Sequence, residues 1–159
     1  MKMTEKMGYL VLAMTFLSAA ILFLYLSFRP VNIIAVHKTL RSWNILVDHL
    51  PPGSKQKISW WHKNKEAISK KYPIPNVNYL QEYNISIWQF GDGYKELGKY
   101  DRFCFNDMPP PKNCIEKKRL MYITLTRDGE VSYWLNDTRY VQKANGELYE
   151  IGLGKLNVH

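Results

Sequence analysis

Two cysteines, four histidines and no catalytic signature leave few chemistries open to this chain of 159 residues. GxSxG, SxxK, HExxH, a Walker-type phosphate loop and GxGxxG are all absent. His37, His49, His62 and His159 show no ligand spacing of the HxxxH kind, and nine residues separate Cys104 from Cys114, so there is no CxxC. Two thiols do not complete a four-ligand zinc site. No metal, no cofactor and no enzymatic activity is expected. The chain also lacks internal repeats and low-complexity segments. Its most telling absence is local: no charged residue occurs from Gly8 to Phe28.

That run, GYLVLAMTFLSAAILFLYLSF, covers 21 residues. A helix of that length spans roughly 31 Å, close to the hydrocarbon core of a bilayer at about 30 Å. Tyr9 and Tyr25 lie near its ends, where aromatic rings sit at headgroup level. The run exceeds the apolar core of a cleavable signal peptide, and no small-x-small site follows it. It reads as an uncleaved signal anchor. Flanking charge does not decide its orientation, because Lys2 and Lys6 precede it while Arg29, Lys38 and Arg41 follow. The short basic tail favours an N-terminus inside and the bulk of the chain outside. Residues 1–7 are then a cytoplasmic tail, 8–28 a transmembrane segment and 29–159 a periplasmic domain.

The exported part holds 20 Lys and Arg against 13 Asp and Glu, a net charge of +7, together with most of the 22 aromatic residues. That is enough apolar matter for a core. Its basic balance suits anionic lipid headgroups or an acidic protein partner, and equally a plain solvated surface. Nucleic acid is not an expected partner.

Asn32 to Val36 is rich in β-branched residues and predicts a strand beside the anchor. Leu40, Trp43, Val47 and Leu50 fall three and four apart, predicting a helix from Thr39 to Leu50. A second helix is predicted over 55–71 with Ser54 as N-cap. Ile58, Trp61, Lys65, Ile68 and Tyr72 mark its inner face, and Pro73 and Pro75 stop it. Asn84 to Phe90 is apolar on both faces, like a central strand. Tyr100 to Phe105, Leu120 to Thr126 and Val131 to Leu135 extend the β pattern, with a turn at Arg127 to Glu130. Asn145-Gly146 predicts a two-residue turn pairing Gln142 with Tyr149 and Tyr140 with Ile151. The expected fold is α+β: one transmembrane helix, a strand, two helices and an antiparallel meander, with the helices packed on one side.

Four stretches resemble a known family: RPVNIIAVH (29–37), ISWWHKNKEAISKKYPIP (58–75), FGDGYKELGKYDRFCFNDM (90–108) and NCIEKK (113–118). They are similar to an enterobacterial family of inner-membrane proteins of uncharacterised function, domain of unknown function 943. Order and spacing agree to about residue 120, and the C-terminal meander matches more loosely. The family has no assigned activity, so no catalytic residue comes with the resemblance. It implies a Gram-negative envelope protein with an N-terminal anchor.

In an oxidising periplasm Cys104 and Cys114 are expected to form a disulfide. It closes a loop holding Pro109, Pro110 and Pro111. Such a loop is either a structural clip, the favoured reading, or a preorganised contact surface. Asp107, Pro110 and Lys112 are its candidate partner-binding residues. Trp60 and Lys63, on the predicted helix, form a second candidate contact, with Trp60 either exposed or packed under the sheet. Asp92, Glu96, Asp101 and Asp107 are interleaved with Lys95, Lys99 and Arg102, which predicts ion pairing rather than acid–base chemistry. The leading functional expectation is a binding protein, most concretely an immunity protein against an envelope-acting toxin. The alternative is an accessory subunit of an envelope complex.

Overall fold

The computed structural model of the chain describes residues 2–39, 42–72, 74, 83–125, 129–143 and 145–152. It opens with helix α1 (Lys2–Phe28). Lys6–Leu26, 21 residues, is long and apolar enough to cross a membrane. Its apolar side chains from Met7 to Leu26 face outward, away from any protein core.

The chain then enters a seven-stranded sheet. Strand β1 (Ile33–Lys38) forms an antiparallel pair with β2 (Ser42–Val47). This pair corrects the helix expected over Thr39–Leu50. The three-and-four spacing there is a coincidence of a strand buried on both faces: Trp43, Asn44, Ile45, Leu46 and Val47 are all buried. A doubly covered strand reads as a continuous apolar run, which spacing alone does not separate from a helix. Leu40 lies outside the described residues.

Helix α2 (Ser54–Lys71) follows and leads to β3 (Tyr83–Gln89), which pairs parallel to β2. Parallel neighbours need such a crossover. The N-cap is Gly53 rather than Ser54, with the Gly53 N–H donating to Gln56 Oε1 at 3.1 Å. At the other end Tyr72 N–H donates to Ile68 carbonyl at 2.8 Å, while Pro73 and Pro75 lie outside the described residues. Ile58, Trp61 and Ile68 are buried, as the spacing predicts.

The next two strands leave the sheet. Strands β4 (Arg102–Cys104) and β5 (Cys114–Glu116) pair with each other as a separate ribbon. The main sheet resumes with β6 (Arg119–Leu125), β7 (Val131–Leu135), β8 (Thr138–Gln142) and β9 (Leu148–Gly152), in the order β1-β2-β3-β6-β7-β8-β9. From β3 onward every pair is antiparallel, so the expected meander is present. In β6, Met121, Ile123 and Leu125 point into the core while Tyr122 and Thr124 alternate away. Thr126, Arg127 and Asp128 lie outside the described residues.

The turn at Asn145-Gly146 is present, but its loop is longer than two residues. Lys143 N–H donates to Glu147 carbonyl at 3.0 Å and Gly146 N–H to Lys143 carbonyl at 2.9 Å. Gly146 carries a φ of +86°, the left-handed conformation such a three-residue loop requires. One extra loop residue shifts the register by one. Gln142 faces Leu148 and Tyr140 faces Glu150. Tyr140 is therefore buried while Tyr149 lies exposed on the opposite face.

The sheet is covered on both faces, by different partners. Ile45, Val47, Ile85, Ile87, Met121, Ile123 and Tyr133 pack with Ile58, Trp61 and Ile68 of α2. On the other face Leu46 and Trp88 pack with Phe105 and Ile115 of the β4–β5 ribbon. Fully burying one such aliphatic or aromatic side chain contributes about 1.5–3 kcal/mol. The buried Asn44 on that face is satisfied by Trp88 Nε1–H at 3.0 Å.

The sheet has two distinct ends. α1 enters at the start of β1 and the end of β2. There Asp48 collects the Asn32 N–H at 3.0 Å, the Asn32 amide at 2.9 Å and the His49 N–H at 2.8 Å, with Arg29 at 3.5 Å. Burial opposes ionisation of Asp48, but the hydrogen bonds from Asn32 and His49 and the charge of His49 outweigh it. Its carboxyl titrates below the ordinary value. The opposite end holds the last residues of β1 and α2 and the first of β3.

Candidate functional site

The β4–β5 ribbon positions the loop that the cysteines predict. Cys104 and Cys114 face each other across the two strands, and their sulfurs are bonded. Phe103 stacks on Trp88 with ring centroids 4.7 Å apart, and Phe105 and Ile115 are buried beneath it, which fastens the ribbon to the sheet. Asn113 closes the loop internally: its side-chain amide donates to Phe105 carbonyl at 2.9 Å, and Phe105 N–H donates back to Asn113 carbonyl at 2.9 Å. Pro109, Pro110, Pro111 and Lys112 stand exposed at the tip.

A second attachment holds the tip to β1. His37, at the end of that strand, is only 8% exposed in its side chain. Its ring stacks on Phe105 at 3.9 Å. Nδ1 lies 2.9 Å from Asp107 Oδ1 and Nε2 lies 2.7 Å from the Tyr94 hydroxyl. The carboxylate only accepts, so in the neutral imidazole the proton sits on Nδ1 and Nε2 accepts from Tyr94. Asp107 Oδ2 also accepts the Lys38 N–H at 3.2 Å. Burial, and then the Asp107 charge, raise the pKa of the Tyr94 hydroxyl, which keeps it a donor. The proline loop is thus closed at its base by sulfur and pinned at its tip by imidazole. Because His37 and Lys38 end β1, the tip lies at the end of the sheet remote from α1, roughly 17 Å along the strand.

The five candidate contact residues divide between two places. Pro110 and Lys112 are exposed on the tip. Asp107 sits there too, but its carboxylate is occupied by His37 and Lys38, so it positions the loop. Trp60 and Lys63 belong to α2, which packs on the opposite face of the sheet. The structure therefore does not join them to the loop. Trp60 is partly buried against the main core, the packed alternative of the two expected for it, and Lys63 is exposed.

The acids of the segment 92–107 do not converge. Asp92 pairs with Lys95 at 3.1 Å, as the interleaving predicts. Asp101 pairs with Lys117 and Asp107 with His37, while Arg102 pairs with Glu116 at 3.0 Å. Among the described residues no three His, Cys, Asp or Glu side chains are grouped as a metal ion would need. His37 and Tyr94 carry the latch, yet no spacing in the sequence ties them to the loop.

An apolar N-terminal helix, the fold that follows it and the four segments quoted above all fall within one family model, which matches residues 3–152. The chain belongs to this family. Its description is "enterobacterial putative membrane protein", domain of unknown function 943. The match reaches well past residue 120, so β6 to β9 are part of the family's shared region. Membrane association accords with this description and with the candidate span in α1. Neither the curated proteins nor the solved structures provide a match to the chain.

Proposed function

We propose that the chain is a single-pass inner-membrane protein that works by binding a protein partner, with its Arg29–His159 domain in the periplasm. The most concrete version is an immunity protein that occludes an envelope-acting toxin. One observation carries the binding reading: an exposed proline loop held at two points, by the Cys104–Cys114 bond and by His37, at the end remote from the membrane helix. A loop fixed before contact loses little entropy on binding. The bonded cysteines support the periplasmic side, since structural disulfides persist in oxidising compartments. No enzymatic role is proposed.

The deciding experiment is a competition assay against toxin-delivering kin with and without the gene. Selective killing of the deletion strain supports the reading. Equal survival against every kin strain sinks it. Compartment is tested separately, by maleimide-polymer labelling of denatured cells. Labelling only after reduction places the cysteines in an oxidised pair, whereas two labels without reduction place the domain in the cytoplasm.

A second reading is an accessory subunit of an envelope complex. The outward-facing apolar side chains of α1, with Thr15 and Ser18 among them, favour it, because small polar residues suit helix–helix packing in lipid. Scrambling Gly8 to Phe28 at constant hydrophobicity abolishes the function of such a subunit and spares an immunity protein.

A further inference from the structure

Charge is distributed unevenly along the domain. Most ion pairs gather where α1 enters and along the base of the ribbon: Arg29–Asp48, Lys95–Asp92, Lys95–Glu116, Arg102–Glu116 and Lys117–Asp101. The far end differs. Lys38 ends β1, Lys70 and Lys71 end α2, and Lys112 stands on the loop tip; all four are exposed. Among the described residues none of the four forms an ion pair. Asp107, beside Lys38, is taken by His37 and by the Lys38 backbone N–H. Glu66, the single acid on α2, lies one turn before Lys70 without pairing to it.

Two of these lysines are held by rings instead. Lys38 Nζ lies 5.6 Å from the centroid of Trp43, and Lys71 Nζ lies 5.4 Å from that of Tyr72. A ring face restrains an ammonium without cancelling its charge. The cations are therefore ordered and still available. They also lie at one end of the domain in three layers. Lys70 and Lys71 come from the α2 side, Lys38 from the sheet edge and Lys112 from the ribbon side. Layers about 10 Å apart give a patch roughly 20 Å across. That is within a standard protein footprint of about 800 Å² per partner.

We propose that this end of the domain, formed by Lys38, Lys70, Lys71 and Lys112 around the proline loop, is the docking surface for an acidic protein partner. The inference deepens the binding reading above and rests on it. An acidic protein is favoured over anionic lipid because the bilayer crossed by α1 lies at the opposite end of the strands.

The test uses the full chain in phosphatidylcholine nanodiscs, with poly-L-glutamate as the acidic polypeptide probe and phosphatidylglycerol vesicles as the lipid probe. Poly-glutamate binds the wild type and is released by salt. The pairs Lys70→Glu/Lys71→Glu and Lys38→Glu/Lys112→Glu each weaken it at least tenfold. The control pair Lys55→Glu/Lys118→Glu, at the α1 end, changes it less than twofold. Equal losses in control and test pairs overturn the proposal, as does binding to the vesicles without binding to poly-glutamate. Unchanged melting temperatures show that the variants fold. In the competition assay, survival that needs the gene but tolerates both test pairs overturns the docking surface and leaves the binding reading standing. Survival indifferent to the gene overturns the reading beneath it.

Discussion

His37 and Asp107 are separated by 70 positions in the chain, and their side chains meet at 2.9 Å. The contact joins the first turn of a loop to the end of an edge strand. Asp107→Ala leaves a buried ring nitrogen without its acceptor, at a cost of roughly 1–3 kcal/mol. Urea melts measure the loss. Limited proteolysis reads its location, with faster cleavage expected between Asn106 and Asn113 and no change elsewhere.

The cysteine bond closes a short loop. Chain entropy assigns such a closure about 2–3 kcal/mol, reduced here by three prolines that already restrict the unfolded chain. Cys104→Ser/Cys114→Ser therefore lowers stability by up to that amount. Cys114 is fully buried and Cys104 is partly covered, so reduction of the native protein is expected to proceed by attack at Cys104 and to speed up in denaturant. Thiol release followed with and without urea checks both points.

His62 makes stability depend on pH near neutrality. Its imidazole lies 3.1 Å from the Tyr133 hydroxyl, and burial, then the charge of Lys65, lower its pKa from the ordinary 6.5. Below that value the unfolded chain takes a proton that the folded chain resists. The contribution is complete above pH 6.5 and declines as pH falls. A His62→Gln variant is expected to show a flatter stability profile between pH 7 and pH 5, measured by chemical denaturation.

Asp48 acts in a more acidic window. Its folded pKa lies below the ordinary 3.8, so its contribution is present above 3.8 and is lost as pH falls through the folded value. Asp48→Asn destabilises the domain at pH 7, and the difference from wild type closes at low pH. Paired melts at pH 7 and pH 3 test this.

Much of the fold was legible because burial alternates. Tyr122 and Ile123 sit on opposite faces as their neighbours in β6 predict, and Trp61 is core because Ile58 and Ile68 share its face. Strand β2 was not legible as a strand. Covering from both sides erased the alternation, and Trp43 and Val47 happened to keep helical spacing. The Asn145-Gly146 turn was visible, but its loop length was not, and one residue was enough to move Tyr149 to the other face. The cysteine pair could be anticipated once the apolar run Gly8 to Phe28 had suggested an exported domain. The latch could not, because nothing local in the sequence couples His37 to Tyr94 or Asp107. The same holds for the sorting of Trp60 and Asp107 to opposite faces, which depends on the ribbon leaving the sheet.

The pairing of β1 with β2 also has a mechanical meaning. A pull on the loop end of the domain against α1 sends its load back through β1. The force then runs along the strand. Five residue pairs from Ile33–Val47 to Lys38–Trp43 resist it together, in shear, instead of opening one after another. The Asp48 contacts brace the point where the load enters. The β1–β2 pair therefore resists a pull along the axis from α1 to the exposed loop better than a sideways peel at β1, which opens its pairs singly.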